Sequence, residues 1–563
     1  MTSWTRRRLV AAGLTIGSLV AAGAAVAVSA PSAQALENGV ARTPPMGWNS
    51  WNTFGCNINE TLIRQMADAI VSSGMSDLGY KYVVVDDCWF NPNRDSSGNL
   101  QGDPSRFPSG MKSLGDYLHG KGLKFGLYEV PVAKTCAQGT GGYPGSTGSQ
   151  GHEAQDARQF AAWGVDYLKY DYCSGSGTIN DQVTTFAKMR DALAATGRPI
   201  VYSINPNSFH CCTGPQRNWG DVANMWRTTE DITNRWDTGN TNGYPMGIQN
   251  IVNVNVPLAG NARPGAFNDP DMMEVGRSGL TDTEQRSHFA LWAMMASPLI
   301  AGNDIRSMSS ATQTILKNAN LIAIDQDSLA VQATQVSNDG SRRVLAKKLA
   351  NGDVAVALFN QSGGTTTIST TAAAIGMSGS SFTLRDVWSN ATSTTTGAIS
   401  ASVPSHGTVV YRVSGAGTPT SPPTSPPTSP PTSPPTSPPT SSPTSEPPSS
   451  SPTTPPAAGG CRVSDTVNAW NNGLTANITI TNTGTSMING WSLAFTLPSG
   501  QTITSGWNAS YSPSSGQVTA RNVSYNGDLA PNASVTIGFQ ATHTGNAAAP
   551  TSFTLNGVSC AVA

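Results

Sequence analysis

Between Gly415 and Gly460 the chain repeats TSPP and carries no large hydrophobic side chain to bury. Each proline lacks a backbone donor and fixes φ, so neither a helix nor a sheet ladder can run through such a stretch. It reads as a semi-rigid, extended spacer of Pro, Thr and Ser, residues 415–460. At ~3.1 Å per residue it spans at most roughly 140 Å. The remainder of the 563 residues must therefore fold as separate bodies on its two sides.

After the spacer, residues 461–563 show almost no helical pattern. Short alternating runs such as LTANITITN, WSLAFTLP and SVTIGFQAT predict an antiparallel β-sandwich. Cys461 and Cys560 stand at its two ends and are expected to pair. Before the spacer, residues 332–414 hold only strand-like runs (RRVLAKKLA, DVAVALFN, FTLRDVW, GTVVYRV), which predict a smaller antiparallel β-sandwich domain. Residues 36–331 alternate short apolar runs with amphipathic stretches. TLIRQMADAIVSSG and EAQDARQFAAWG have helical spacing and end at glycine. Eight such units fit a (β/α)8 TIM barrel. At the N-terminus, Arg6, Arg7 and Arg8 precede an apolar run from Leu9 to about Val28, and Ala33-Gln34-Ala35 follows. Residues 1–35 are thus expected to be a secretory signal peptide, and the protein to be secreted and extracellular.

Charged residues make up 12% and the net charge is −1, which argues against nucleic acid or an anionic membrane as partner. The eight cysteines suit an oxidising compartment; none forms CxxC, and a structural zinc site is not expected. Polar residues gather at the C-terminal ends of the barrel runs: Asp86-Asp87, Lys169 and Asp171, Arg227 and Asp231, Asp269 and Asp271. In such a barrel those ends build the active site. In VDYLKYDYC, Lys169 and Asp171 are two apart and point to one face. Paired carboxylates with tryptophans nearby suit cleavage of a glycosidic bond. By spacing alone, either member of Glu230-Asp231 could be the acid.

RTPPMGWNSWNTF, VVVDDCW, DPSRFPSGMKSLGDYLHGKGLKFGLY, WGVDYLKYDYC, WRTTEDI and FNDPDMM, in that order, resemble the α-galactosidase family, glycoside hydrolase family 27. The resemblance implies a retaining exo-glycosidase that needs neither cofactor nor metal and releases terminal α-D-galactosyl residues from oligo- or polysaccharides. It implies Asp171 as nucleophile, kept ionised with help from Lys169, and Asp231 as acid/base. Asp86 and Asp87 would hold the 4- and 6-hydroxyls, and Trp51 would wall the pocket. Tyr128, Lys169, Arg227 and Asp271 match further substrate-binding positions. Asn205 takes the place of a family glutamate that reads the 2-hydroxyl. The resemblance also implies the disulfides Cys56–Cys88 and Cys136–Cys173. Two loops depart from the family, EVPVAKTC after Tyr128 and INPNSFHCCTG after VYS. Adjacent Cys211 and Cys212 are either a vicinal disulfide or two free thiols. These departures leave the reaction type in place but leave open the leaving group and another glycone, such as β-L-arabinopyranose. A binding protein on an inactive barrel is the alternative of another class, and intact Asp171 and Asp231 argue against it.

In the last domain, NAWNNGLTANITITNTG, INGWSLAFTLPSGQTITSGWNAS and NVSYNGDLAP resemble the family 2 carbohydrate-binding modules. That resemblance implies a flat strip of Trp470, Trp507 and Tyr525 stacking on an insoluble polysaccharide (cellulose, xylan or chitin), with Trp491 in the core.

Overall fold

The computed structural model describes residue 36 and residues 38–415, 460–470, 473–507, 509–522, 526–531 and 533–562. The expected signal peptide and nearly all of the spacer lie outside these residues, as do Tyr525 and the side chains of Trp470 and Trp507.

Eight parallel strands form the first sheet: β1 Met46–Asn49, β2 Tyr82–Val85, β3 Lys124–Glu129, β4 Val165–Asp171, β5 Val201–Asn205, β6 Met225–Arg227, β7 Phe267–Asp269 and β8 Leu299–Ala301. Their order runs β7-β6-β5-β4-β3-β2-β1-β8. A parallel bridge between Met273 and Ala301 closes the circle. Helices link the strands, and their ends follow from the sequence. Asn59 caps Glu60–Ser72 by accepting from the Leu62 amide. Glu153–Trp163 ends at Gly164, whose φ of 79° suits glycine. Alternation sorts β2 into two cores. Val83 and Val85 pack outward against the helices. Tyr82 and Val84 point inward and plug the barrel with Tyr167, Val201, Met225 and Phe267.

The second body has eight antiparallel strands, β9 Thr334–Asn338, β10 Arg342–Lys348, β11 Val354–Asn360, β12 Thr366–Thr371, β13 Phe382–Asp386, β14 Thr392–Thr395, β15 Ala398–Val403 and β16 Thr408–Gly415. They form a six-stranded sheet (β14-β13-β16-β11-β10-β9) and a β12-β15 pair. β11 is buried along its whole length. Ala355, Ala357 and Phe359 join the barrel's core. Val354, Val356 and Leu358 face the sandwich interior. That double burial is why VAVALF is apolar throughout rather than alternating.

In the C-terminal module, β17 Cys461–Trp470 pairs antiparallel with β18 Gly473–Asn482 from Cys461↔Asn482 to Trp470↔Gly473. On its other side β17 pairs parallel with Ala561–Val562. Cys461 is bonded to Cys560. Trp491 is buried in this module's own core, and its indole N–H donates to the Asn526 carbonyl. Among the described residues no helix is long and apolar enough to cross a membrane.

Candidate active site

β4 supplies the centre. Tyr167 belongs to the plug, so the next inward side chains along the strand, Lys169 and Asp171, stand above it at the strand's C-terminal end. Lys169 Nζ lies 2.8 Å from Asp86 Oδ2, 3.9 Å from Asp171 Oδ2 and 5.3 Å from the centre of the Tyr128 ring. The lysine's tightest partner is thus on the neighbouring part of the mouth rather than two residues along its own strand. Asn49, at the end of β1, donates to the same Asp86 oxygen at 2.7 Å and accepts from the amide of half-buried Trp51 at 2.8 Å. Asp87 accepts from the Cys88 and Ala137 amides at 2.7 and 2.9 Å. Cys88 is itself bonded to Cys56, and Ala137 follows Cys136, the first residue of a short helix, which is bonded to Cys173.

β6 and β7 supply the other side. Arg227 is 2.9 Å from Asp271 Oδ2 and 3.1 Å from Asp231 Oδ1. The Asp231 side chain is 56% exposed at the rim, against 9% for Asp171 in the floor. At the end of β5, Asn205 donates to Ser208 Oγ at 2.7 Å. Lys169, Asp171, Asn205, Arg227 and Asp271 line one pocket together with Asn49, Tyr167, Ser203, Ile204, Asp269, Met272 and Ile300. Trp51, Asp86, Asp87, Tyr128 and Asp231 are not among the lining residues. Asn49 and Ser203 are pocket-lining residues that sequence reasoning passed over, although both sit inside quoted motifs. Cys211 and Cys212 are bonded to each other.

The mouth gathers more carboxyl groups than cations, and this sets the protonation. Burial pushes Asp171 up to about 7; Lys169 pulls it down, but Asp86 and Asp231 add to the rise. The expected help from Lys169 is therefore present in direction and outweighed by desolvation. Asp171 Oδ1 is buried without a hydrogen-bond partner. Burial likewise raises Asp87 and Asp269 to about 6, and raises Asp271 against the pull of Arg227. Glu230, largely buried, is raised to about 7. Burial opposes the charge on Lys169, yet Asp171 and Asp86 hold its ammonium above the ordinary lysine range. The sulfurs of Cys136 and Cys173 lie close to the Asp171 carboxylate but are spent on each other, so this group is not a metal centre.

A parallel eight-stranded barrel whose open end holds buried carboxyl groups, one with an unengaged oxygen and another at the rim, suits a glycoside hydrolase. Comparison with known proteins narrows the class. The family described as "Alpha galactosidase A" matches residues 43–327, and "Alpha galactosidase C-terminal beta sandwich domain" matches residues 339–413. Alpha-galactosidase A of Cellvibrio japonicus is 43% identical over 68% of this chain and 94% of its own. Alpha-galactosidase of Cyamopsis tetragonoloba is 43% identical over 67% and 87%. Among solved structures, alpha-galactosidase I from Mortierella vinacea superposes with a TM-score of 0.63 at 35% identity, covering 68% of this chain and 99% of that one. A β-L-arabinopyranosidase from Geobacillus stearothermophilus superposes at 0.59 with 25% identity, covering 67% and 97%. The chain belongs to the α-galactosidase family and has that family's hydrolase activity. Residues 461–560 match "Cellulose binding domain", so the chain also carries a cellulose-binding module.

Proposed function

We propose that the protein is a secreted, retaining exo-α-galactosidase in which Asp171 is the nucleophile and Asp231 the acid/base. The observation that carries this is the placement of the two carboxyl groups. Asp171 lies in the pocket floor with Oδ1 unengaged. Asp231 stands at the rim, held by Arg227. In the first step Asp171 attacks the anomeric carbon while Asp231 protonates the departing glycosidic oxygen. In the second, Asp231 takes a proton from water, whose oxygen attacks the same carbon and releases Asp171. Two inversions retain the anomeric configuration. Lys169 and Asp86, joined at 2.8 Å, and Asp87 would hold the sugar's hydroxyls. Arg227, Asp271, Asn205, Tyr128 and Trp51 would shape the remaining walls.

Proton NMR of the earliest product should show α-galactose from an α-galactoside; early β-anomer would overturn the assignment. Asp231→Ala should still release nitrophenol, which needs little protonation, and should then accumulate glycosyl-enzyme. Asp171→Asn should be inactive on every substrate. Equal loss of the first step in both variants on the activated substrate would remove Asp231 from its role.

For the glycone, the family match favours galactose. The altered 204–214 loop and the arabinopyranosidase likeness keep β-L-arabinopyranose as the second reading. Kinetics on the two nitrophenyl glycosides separate them, with the higher kcat/KM expected on the galactoside. The division at residues 36–331, 332–414, 415–460 and 461–563 and the Trp470–Trp507–Tyr525 strip belong to the same proposal. It puts galactose-containing saccharide at the barrel and the module on insoluble polysaccharide, with xylan and chitin as further ligands to test beside cellulose.

A further inference from the structure

Among the described residues only two large aromatic side chains are exposed, Phe209 at 52% and Tyr244 at 73%. Both stand on loops that leave the C-terminal ends of adjacent barrel strands. Phe209 follows β5, and Tyr244 follows β6 beyond Asp231. That is the end at which Asp171 and Asp231 lie.

Phe209 stands beside the two segments that the Cys136–Cys173 bond joins. A Cβ on Gly139 would lie 3.9 Å from its ring, and one on Gly175 would lie 3.4 Å from its carbonyl oxygen. Gly139 and Gly175 flank the Cys136–Cys173 bond that closes the loops around Asp171. The Phe209 backbone is left-handed, with φ 57°, which costs free energy for a residue with a bulky side chain. Its surroundings hold it there. The His210 amide donates to the Asn207 carbonyl at 2.8 Å. The sulfurs of Cys211 and Cys212 rest 3.0 and 2.8 Å from the Asn242 carbonyl oxygen. That contact ties the two aromatic-bearing loops together, since Tyr244 is two residues further on. Asn242 also accepts from the Glu230 amide at 3.1 Å, which links the pair to the segment carrying Asp231.

Exposed aromatic rings on fixed backbone at the rim of a sugar-cleaving pocket have an obvious complement in the apolar face of a pyranose. The glycone fills the pocket, so the sugar units beyond the scissile bond leave it over the rim from which both loops rise. We propose that Phe209 and Tyr244 are specificity residues that stack on the sugar units beyond the scissile bond and favour oligosaccharide over small leaving groups. The proposal rests on Asp171 and Asp231 being the reacting pair, because they fix where the scissile bond lies.

The test measures kcat/KM for raffinose, whose leaving group is two sugar rings, and for α-galactosyl fluoride, whose leaving group has none. The ratio of the two is compared in the parent, Phe209→Ala, Tyr244→Ala and the double variant. Losing an aromatic anchor should lower that ratio about tenfold per ring, with Phe209→Tyr restoring it. A fall of less than about fivefold in the double variant overturns the proposal. Both side chains are exposed, and circular dichroism checks that the variants fold. A mistaken catalytic pair shows itself separately, as Asp171→Asn that still cleaves the fluoride.

Discussion

In the proposed mechanism Asp171 must attack as a carboxylate, yet burial pushes it up to about 7. The active form is the deprotonated one, so kcat/KM should fall by about tenfold per pH unit as pH drops below 7. Lys169 opposes the rise. Lys169→Met should therefore move this acid limb to higher pH and lower kcat/KM at pH 6 by about tenfold or more. A pH–rate profile of both proteins checks it; an unmoved limb would show that Asp171 is not the titrating group. The lysine–aspartate spacing along β4 was legible in the sequence because two residues apart on a strand share a face. The Lys169–Asp86 contact was not, because 83 residues separate the partners and only closure of the barrel brings them together. The raised pKa was illegible for the same reason: desolvation depends on everything packed around the carboxylate.

The barrel strands were readable as apolar runs because a parallel sheet covered on both faces needs no polar side. The Thr- and Ser-rich strands β12 and β14 left no such mark; β14 is largely exposed and β12 buries Ile368. Close approach of strands fixes some residues outright. A Cβ on Gly47 in β1 would lie 2.1 Å from the Tyr82 carbonyl oxygen of β2. Gly47→Ala should destabilise the barrel by about 3 kcal/mol, read as a lowered melting temperature, while the module's transition stays in place. In the module, Trp491 fills the core, and Trp491→Ala should cost ~3–5 kcal/mol and melt that domain alone. Calorimetry of the whole chain resolves the two events. A single shared transition for both variants would contradict separate cores.

For the molecule as a whole, the spacer was the most legible feature, since its composition excludes burial. The barrel–sandwich contact was the least, because the unbroken apolar run of β11 marks a strand covered on both faces but does not say what covers it. A pocket-shaped site needs no platform to cleave a soluble galactoside. Truncation at Gly415 should therefore leave kcat/KM on nitrophenyl galactoside within about twofold and abolish adsorption to microcrystalline cellulose. Trp507→Ala should weaken that adsorption several-fold. If the truncated chain adsorbs as well as the intact one, the module is not the anchor.

The stapled start of the module also has a mechanical side. When the module grips a fibre and flow drags on the enzyme, tension enters at Cys461, the first residue of β17. That strand is laddered on both sides, to β18 and to Ala561–Val562. Tension along it loads the β18 ladder in shear, so many hydrogen bonds must yield together, and the Cys461–Cys560 bond passes part of the load to the opposite chain end. In single-molecule pulling on the immobilised enzyme, reduction of that bond should lower the rupture force of the module before it changes any rate of hydrolysis.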